Sequence, residues 1–176
     1  GHEIACDQFR LPIESPKKAF KTSGPKLTVS TNGDNLSASS SKVNFMFNKK
    51  TGIVTSYKVD GTEYFSEGFG IQPNFWRAPT DNDYGNGMPK RLQVWKESSK
   101  NFNVTDATVT MDGNNAVINV NYLLPAGNLY IVNYTIYPSG AVNVTARFTS
   151  TDMDAAQTEV SESTRTATFT PGRDAA

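Results

Sequence analysis

Apolar and polar residues alternate with a period of two along most of this chain, a pattern typical of β-strands with one buried and one solvated face. In the first half, the predicted strands cover residues 27–31, 35–40, 43–47, 53–59 and 62–65. Asn32-Gly33, Lys50-Thr51-Gly52 and Asp60-Gly61 lie between strands and predict tight turns. The first half therefore predicts an antiparallel meander.

The same alternation resumes in the second half. The predicted strands there cover residues 104–111, 116–122, 129–137 and 141–148. Turn residues separate them at Asp112-Gly113, Pro125-Ala126-Gly127 and Pro138-Ser139-Gly140. Since both halves predict strands with one apolar face, we expect an all-β fold in which antiparallel sheets pack face to face as a β-sandwich.

Three stretches depart from this pattern. Residues 89–98 have helical spacing, with Leu92 and Trp95 one turn apart. Residues 14–25 contain prolines and a basic cluster, and predict a linker. Residues 151–176 are rich in Ser, Thr, Asp and Ala, and their apolar residues are too sparse to predict a core strand.

The segment from Gly70 to Trp95 changes character abruptly and holds the candidate chemistry. It passes from aromatic residues through Arg77-Ala78-Pro79-Thr80 to a polar group formed by Asp81, Asn82 and Asp83. A glycine-rich loop follows, made of Gly85, Asn86, Gly87 and Met88. Because glycine adopts positive φ readily, we expect a loop that can move.

The polar group has a sharp and a plain interpretation. The spacing of Asp81 and Asp83 resembles the opening of a calcium loop, but the twelfth position would be Leu92, where a bidentate carboxylate is required. A turn whose side chains bond backbone amides is favoured. Catalytic carboxylates usually come from different strand ends, so these aspartates are not expected to be an acid and a nucleophile. We predict no metal ligand and no catalytic residue.

Arg77 and the two tryptophans also have structural interpretations. The Arg77 guanidinium can stack on an aromatic face or form a fork to Asp81 or Asp83, which would lock the base of the loop. Both roles are favoured over direct substrate binding. Trp76 and Trp95 are favoured as packing residues over sugar-stacking platforms, because they have apolar neighbours.

Composition excludes several classes of function. The chain has 17 basic and 17 acidic residues, so no positive surplus points to nucleic acid or an anionic membrane. No apolar run approaches the roughly 20 residues that cross a bilayer, and no signal peptide is predicted. Cys6 is the single cysteine, so no intrachain disulfide or cysteine zinc site is expected. The single histidine, His2, would need residues from elsewhere to complete a catalytic triad.

The run Phe75-Trp76-Arg77-Ala78-Pro79-Thr80-Asp81-Asn82-Asp83-Tyr84-Gly85, followed by Trp95, resembles the signature of the small-chain domain of family 2 β-galactosidases. Residues 2–9 are similar to the strand that closes the immunoglobulin-like domain just upstream in those enzymes. The resemblance implies that residues 1–13 end that domain, that 14–25 link it, and that 26–176 are the N-terminal portion of a galactose-mutarotase-like supersandwich. We therefore expect a partly open core that a partner or a symmetry mate covers.

The resemblance also implies a function. The parent enzyme would hydrolyse terminal β-D-galactosides with retention, using two glutamates of a (β/α)8 barrel that binds magnesium and sodium, in a cytoplasmic or periplasmic location. Those glutamates and ligands have no counterpart here, so we expect this fragment to be inactive alone and to hold no cofactor. It would support the barrel, contact other domains or subunits of a homo-oligomer, and border the substrate entrance with Gly85–Met88. The base of that loop would be Trp76, Arg77, Asp81, Asn82, Asp83 and Trp95.

Two alternatives stay open. A carbohydrate-binding module needs exposed aromatic residues on one sheet face, and the candidates are Tyr122, Tyr130, Tyr134 and Tyr137. A purely structural interaction domain would instead have a buried and rigid central loop.

Overall fold

The structure is a computed structural model that describes residues 19–66, 69–125, 127–151 and 160–171. The predicted strand near the N-terminus, the first part of the predicted linker, His2 and Cys6 lie outside these residues. The described elements are β1 Thr28–Asn32, β2 Asn35–Ser39, β3 Val43–Asn48, β4 Ile53–Val59, β5 Thr62–Glu63, α1 Asp81–Gly85, α2 Met88–Arg91, α3 Gln93–Ser98, β6 Asn103–Asp112, β7 Asn115–Leu123, β8 Leu129–Ile136, β9 Val142–Thr151 and β10 Val160–Phe169. None of the helices in these ranges is long and apolar enough to span a membrane.

The strands form two antiparallel sheets of five strands each. One sheet has the order β1-β2-β3-β4-β5 and the other β10-β9-β8-β7-β6, so every pairing joins strands that are neighbours in sequence. The strands predicted in both halves are confirmed, with ends that shift by at most three residues. The Asp60-Gly61 turn is confirmed as well: both residues have positive φ, 51° and 81°, as a two-residue hairpin turn of this type requires.

One core lies between the two sheets and confirms the all-β sandwich. Along β3 and most of β7, buried residues on the inner face alternate with half-buried residues on the outer face. Phe45 of β3 contacts Tyr134 of β8, with ring centroids 5.7 Å apart. The largest fully buried side chains are Tyr122, Tyr134, Phe45, Phe47, Leu27, Leu36, Ile118, Leu124, Ile136, Val43, Val54 and Val120.

β4 departs from simple alternation in a way that the sequence did not predict. Its buried residues are Val54, Tyr57 and Val59, so the first two are three positions apart. The register with β3 shifts between Met46 and Phe47, which leaves Thr55 without a partner. This bulge inserts one residue and returns Tyr57 to the inner face.

β10 is an addition to the prediction. The sequence pattern predicts no core strand after residue 151, yet β10 pairs with β9 along its whole length. The side chains from Thr164 to Phe169 are exposed. Since backbone hydrogen bonds rather than apolar burial hold this edge strand, its sequence lacks the alternation that marks the others.

Two tyrosine hydroxyls join the sheets through the core. Tyr57 of β4 donates to the carbonyl oxygen of Gly140 at 2.5 Å, beside the start of β9, and Tyr122 of β7 donates to Gly52 at 2.8 Å, in the β3–β4 turn. Burial, with a smaller contribution from Tyr64, raises the pKa of Tyr57 to about 12. Burial likewise raises the pKa of Tyr122 far above its usual value. Both phenols therefore stay protonated donors at any ordinary pH.

The first test addresses this cross-sheet bond. We expect Tyr122→Phe to lower the free energy of unfolding by about 1–3 kcal/mol, because it leaves the buried Gly52 carbonyl oxygen without a donor. Urea unfolding followed by tryptophan fluorescence measures the change. Tyr84→Phe is the control, since the Tyr84 side chain is exposed and should tolerate the loss of its hydroxyl. Equal stability of the two variants would contradict the proposed tie.

A second test concerns the close approach of the crossover segment to β4. A Cβ atom at Gly70 would lie 1.6 Å from the carbonyl oxygen of Val54, whose amide donates to Ile71 at 3.1 Å. We expect Gly70→Ala to push the two backbones apart and to cost more than about 1 kcal/mol in unfolding free energy. Chemical denaturation provides the measurement. Gly85→Ala, where no atom lies within 4 Å of the added Cβ, is the matched control and should be at least as stable as the unchanged protein.

Candidate functional site

The candidate site lies on the crossover that connects β5 of one sheet to β6 of the other. The crossover is fixed to the first sheet where Val54 donates to Ile71. Further along, the Phe75 amide donates to Ser99 Oγ at 2.7 Å, and Ser99 Oγ donates to the Trp95 carbonyl at 3.1 Å. The segment between these residues, including α1, α2 and the first part of α3, is therefore closed into a loop with fixed ends.

Asp83 is the centre of the loop base. Its carboxylate accepts two hydrogen bonds from Arg77, with Nη1 2.6 Å from Oδ2 and Nη2 2.9 Å from Oδ1. It also accepts the Thr80 amide at 2.7 Å and the Thr80 hydroxyl at 2.9 Å. The bond from the Thr80 amide belongs to the capping box at the N-terminus of α1, where a negative charge is favoured. The predicted fork of Arg77 is confirmed, with Asp83 rather than Asp81 as its partner.

The electrostatics of the pair follow from these bonds. The hydrogen bonds from Arg77, then those from the Thr80 amide and hydroxyl, hold the pKa of Asp83 well below its usual range. The same contact with Asp83 raises the pKa of Arg77. The Asp83 side chain is only 12% exposed, whereas that of Arg77 is 64% exposed. In this ion pair the Asp83 carboxylate is therefore largely buried, and the Arg77 guanidinium faces solvent.

The other two residues of the polar group play smaller parts. Asp81 and Asn82 are exposed in the first turn of α1. The turn predicted at these residues is therefore wrong in type, because the structure has a single-turn helix there. The Asn82 carbonyl accepts the Asn86 amide at 3.1 Å. The capping bonds of Asp83 explain this outcome, because they supply the helix start that the sequence pattern did not reveal.

The glycine-rich loop connects α1 to α2. Gly87 has a φ of 70°, as the sequence led us to expect, but Gly85 ends α1 without a positive φ. Asn86 Oδ1 accepts the Met88 amide at 2.9 Å and so shapes the turn into α2. Gly85, Asn86 and Gly87 are exposed and Met88 is half-buried. The left-handed residue of the loop is therefore Gly87 alone.

The predicted helix over residues 89–98 is divided into two. α2 ends at Arg91 and α3 begins at Gln93, with Leu92 between them at φ −109° and ψ 21°. Trp95 of α3 packs against Phe148 of β9, with ring centroids 5.6 Å apart. The interpretation of Trp95 as a packing residue is confirmed by this contact, and Trp76 is half-buried at the start of the loop base.

An aromatic hollow lies beside the site and was not predicted. It has a volume of about 480 Å³ and is lined by Phe75, Trp95, Tyr130, Ala146, Phe148 and Arg165. Phe75 contacts Tyr130 edge to face at a centroid distance of 5.0 Å. Ala146 and Phe148 are half-buried residues of β9, which lies next to the edge strand β10. Only sheet topology brings these residues together.

The tyrosines that a carbohydrate-binding module would need are not available as a platform. Tyr122 and Tyr134 are fully buried in the core, and Tyr130 and Tyr137 are half-buried. The expectation that these four could form one exposed face is wrong. Tyr122, Tyr130 and Tyr134 lie on the inner side of their strands, and Tyr137 follows β8 and packs against Phe20, with ring centroids 5.2 Å apart.

The fold and the site together define the class of protein. It is an antiparallel β-sandwich domain whose crossover carries an exposed loop, and the Arg77–Asp83 ion pair fixes the base of that loop. Residues 39–169 match the family model for the β-galactosidase small chain. The chain is 35% identical to a β-galactosidase of Priestia megaterium over 146 residues, which are 82% of this chain and 14% of that protein. The β-galactosidase of Kluyveromyces lactis is 29% identical over 78% of this chain and 14% of its own length.

A separate small subunit is also similar. The β-galactosidase small subunit of Latilactobacillus sakei is 29% identical over 66% of this chain and 33% of its own length. The chain belongs to the β-galactosidase small-chain family. It spans a third or less of each of these three relatives.

The third test uses the depressed pKa of Asp83. A carboxyl group whose pKa is lower in the folded than in the unfolded chain stabilises the fold above its unfolded pKa of about 3.9 and loses that contribution as the pH falls toward the folded value. We expect the difference in unfolding free energy between the unchanged protein and Asp83→Asn to be constant above about pH 5 and to shrink below about pH 4. Urea unfolding at a series of pH values measures it. Asp81→Asn, at an exposed side chain, is the control and should follow the unchanged protein, while an Asp83→Asn difference that persists into acid would contradict the assignment.

Proposed function

We propose that this chain is part of a family 2 β-galactosidase that hydrolyses terminal β-D-galactosides, and that it acts there as a non-catalytic domain. In this proposal the catalytic glutamates and the magnesium and sodium ions belong to a barrel elsewhere in the parent enzyme. The relatives support the proposal, since each is called a β-galactosidase or its small subunit and matches this chain over part of its length.

The residues described here do not fit a metal site. Within those ranges, no group of three or more His, Cys, Asp or Glu residues is placed to hold a metal ion. The contribution that we assign to this domain is positional: it supports the barrel and places one loop at the mouth of the substrate pocket.

The single observation that carries the proposal is the contrast between the loop and its base. Gly85, Asn86 and Gly87 are exposed, and the base is fixed by the four hydrogen bonds of the Asp83 carboxylate. A short loop with a flexible tip and a rigid base can border a pocket and adjust to a sugar without disturbing the sandwich. We propose that Gly85–Met88 borders the substrate entrance in this way.

We further propose that the sandwich is a portion of a larger domain. Support comes from the β9–β10 side, where Ala146 and Phe148 are half-buried and Phe169 is 46% exposed. Apolar side chains of this kind normally pack against another layer. More of the same enzyme, or a second subunit of a homo-oligomer, would complete the layer.

The fourth test is kinetic. In the full-length enzyme that contains this chain, we expect Gly85→Ala to change the kcat for a nitrophenyl galactoside while the melting temperature stays the same or rises slightly. The added methyl meets no atom within 4 Å, and Ala favours helix by up to about 1 kcal/mol over Gly, which would stiffen the end of α1 beside the loop. Steady-state kinetics and thermal unfolding are the two measurements.

Gly33→Ala is the matched control, because Gly33 lies in the β1–β2 turn with no atom within 4 Å of an added Cβ. Its positive φ of 57° predicts a small loss of stability without a change in kcat. Unchanged kinetics for Gly85→Ala, with or without altered stability, would count against the entrance role.

A further inference from the structure

The outward side of Arg77 has a pair of donors that nothing in the described chain uses. A guanidinium has five N–H groups. Three are engaged: Nη1 donates to Asp83 Oδ2 and to the Ala78 carbonyl at 3.1 Å, and Nη2 donates to Asp83 Oδ1. Because both Nη atoms face the same carboxylate end-on, the remaining donors are Nε–H and the second Nη2–H. These two lie on one edge of the planar group and point in parallel.

This edge is pre-oriented and exposed. The Arg77 side chain is 64% exposed although its other edge is fixed by Asp83. Among the described residues the ion pairs are Lys42–Asp60 and Arg77–Asp83, so the neighbouring Asp81 carboxylate does not reach the free edge. Holding a guanidinium in place beforehand reduces the entropy lost when it binds a second group.

The residues next to this ion pair in sequence are of types common at protein interfaces. Trp76 precedes Arg77 and is half-buried, and Tyr84 follows Asp83 and is 65% exposed. Trp, Tyr and Arg are the residue types that contribute most of the binding energy at protein–protein contacts.

We infer that the Nε–Nη2 edge of Arg77 binds an acidic side chain of the parent enzyme outside these 176 residues, and that this contact docks the loop base onto the rest of the protein. The inference rests on the proposed function, which places this domain against other domains of a β-galactosidase. Its partner is defined by chemistry: the two parallel donors match the two oxygens of a carboxylate. A sugar hydroxyl fits less well, because it donates as well as accepts and this edge offers only donors.

The first experiment measures access to Arg77 in the intact native enzyme. Phenylglyoxal modifies accessible guanidinium groups, and peptide mass spectrometry reports the rate at each arginine. Arg91 of α2, whose side chain is exposed, is the internal control. We expect Arg77 to react several-fold more slowly than Arg91 in the absence of any sugar. Reaction of both at the same rate would overturn the inference.

Asp83 also shields part of Arg77, so the full-length Asp83→Asn variant separates the two contacts. It removes the internal charge and keeps one side-chain oxygen that can still accept from Arg77 and hold the guanidinium. If an external carboxylate occupies that edge, Arg77 stays protected in this variant. If protection is lost, Asp83 alone was responsible and the inference is wrong. Protection that arises only when isopropyl thiogalactoside is added would assign the edge to a sugar and would also overturn it.

A second experiment identifies the partner. In the full-length Arg77→Lys/Asp83→Asn variant, a water-soluble carbodiimide should join the new amine to the acidic side chain that it faces. We expect a cross-linked peptide from outside residues 1–176, while a cross-link confined to Asp81, or none in an enzyme that still folds, would contradict the inference. Neither labelling nor cross-linking depends on galactoside turnover. A free Arg77 together with an altered kcat for Gly85→Ala would therefore reject this contact and leave the entrance role standing.

Discussion

The packing of two inner sheet faces against each other is the interaction on which the rest of this domain depends. Each sheet is a meander of local hairpins, and neither could bury its apolar face alone. The buried hydroxyls of Tyr57 and Tyr122 then fix the position of one sheet relative to the other, because each donates to a carbonyl oxygen in a turn of the opposite sheet. A slip of either layer would break such a bond in a place that water cannot reach.

That packing requires one long connection between the layers, and the connection carries the candidate site. It leaves β5 and returns at β6, held at Ile71 by β4 and at Phe75 by Ser99. Between Phe75 and Ser99 the chain pairs with no strand. Its backbone hydrogen bonds are therefore made within short helices and to side chains. The Asp83 carboxylate is the main example, since it caps α1 and holds Arg77 at the same time.

The hydrogen bonds of the crossover hold the base of the loop much more firmly than its tip. The loop base is a network of charged and neutral hydrogen bonds, whereas the loop tip at Asn86 and Gly87 is exposed, with a single side-chain bond to the Met88 amide. The rigid base therefore fixes where the loop leaves the sandwich, and the tip has few contacts of its own.

The sequence by itself determined strands β1 to β9 and most of their turns, because period-two alternation and turn residues are local signals. It also showed that the segment from Trp76 to Gly85 differs from the strands around it. For Arg77 it left two roles open, stacking on an aromatic ring or an ion pair with Asp81 or Asp83. It did not choose Asp83 over Asp81, since that choice depends on which side of a one-turn helix faces inward. The bulge at Thr55, the edge strand β10 and the hollow around Phe148 were decided only by the tertiary structure, because each depends on a neighbouring strand or layer that is distant in sequence. For the same reason only the tertiary structure identifies Tyr122 and Tyr134 as core residues, because the second sheet covers them.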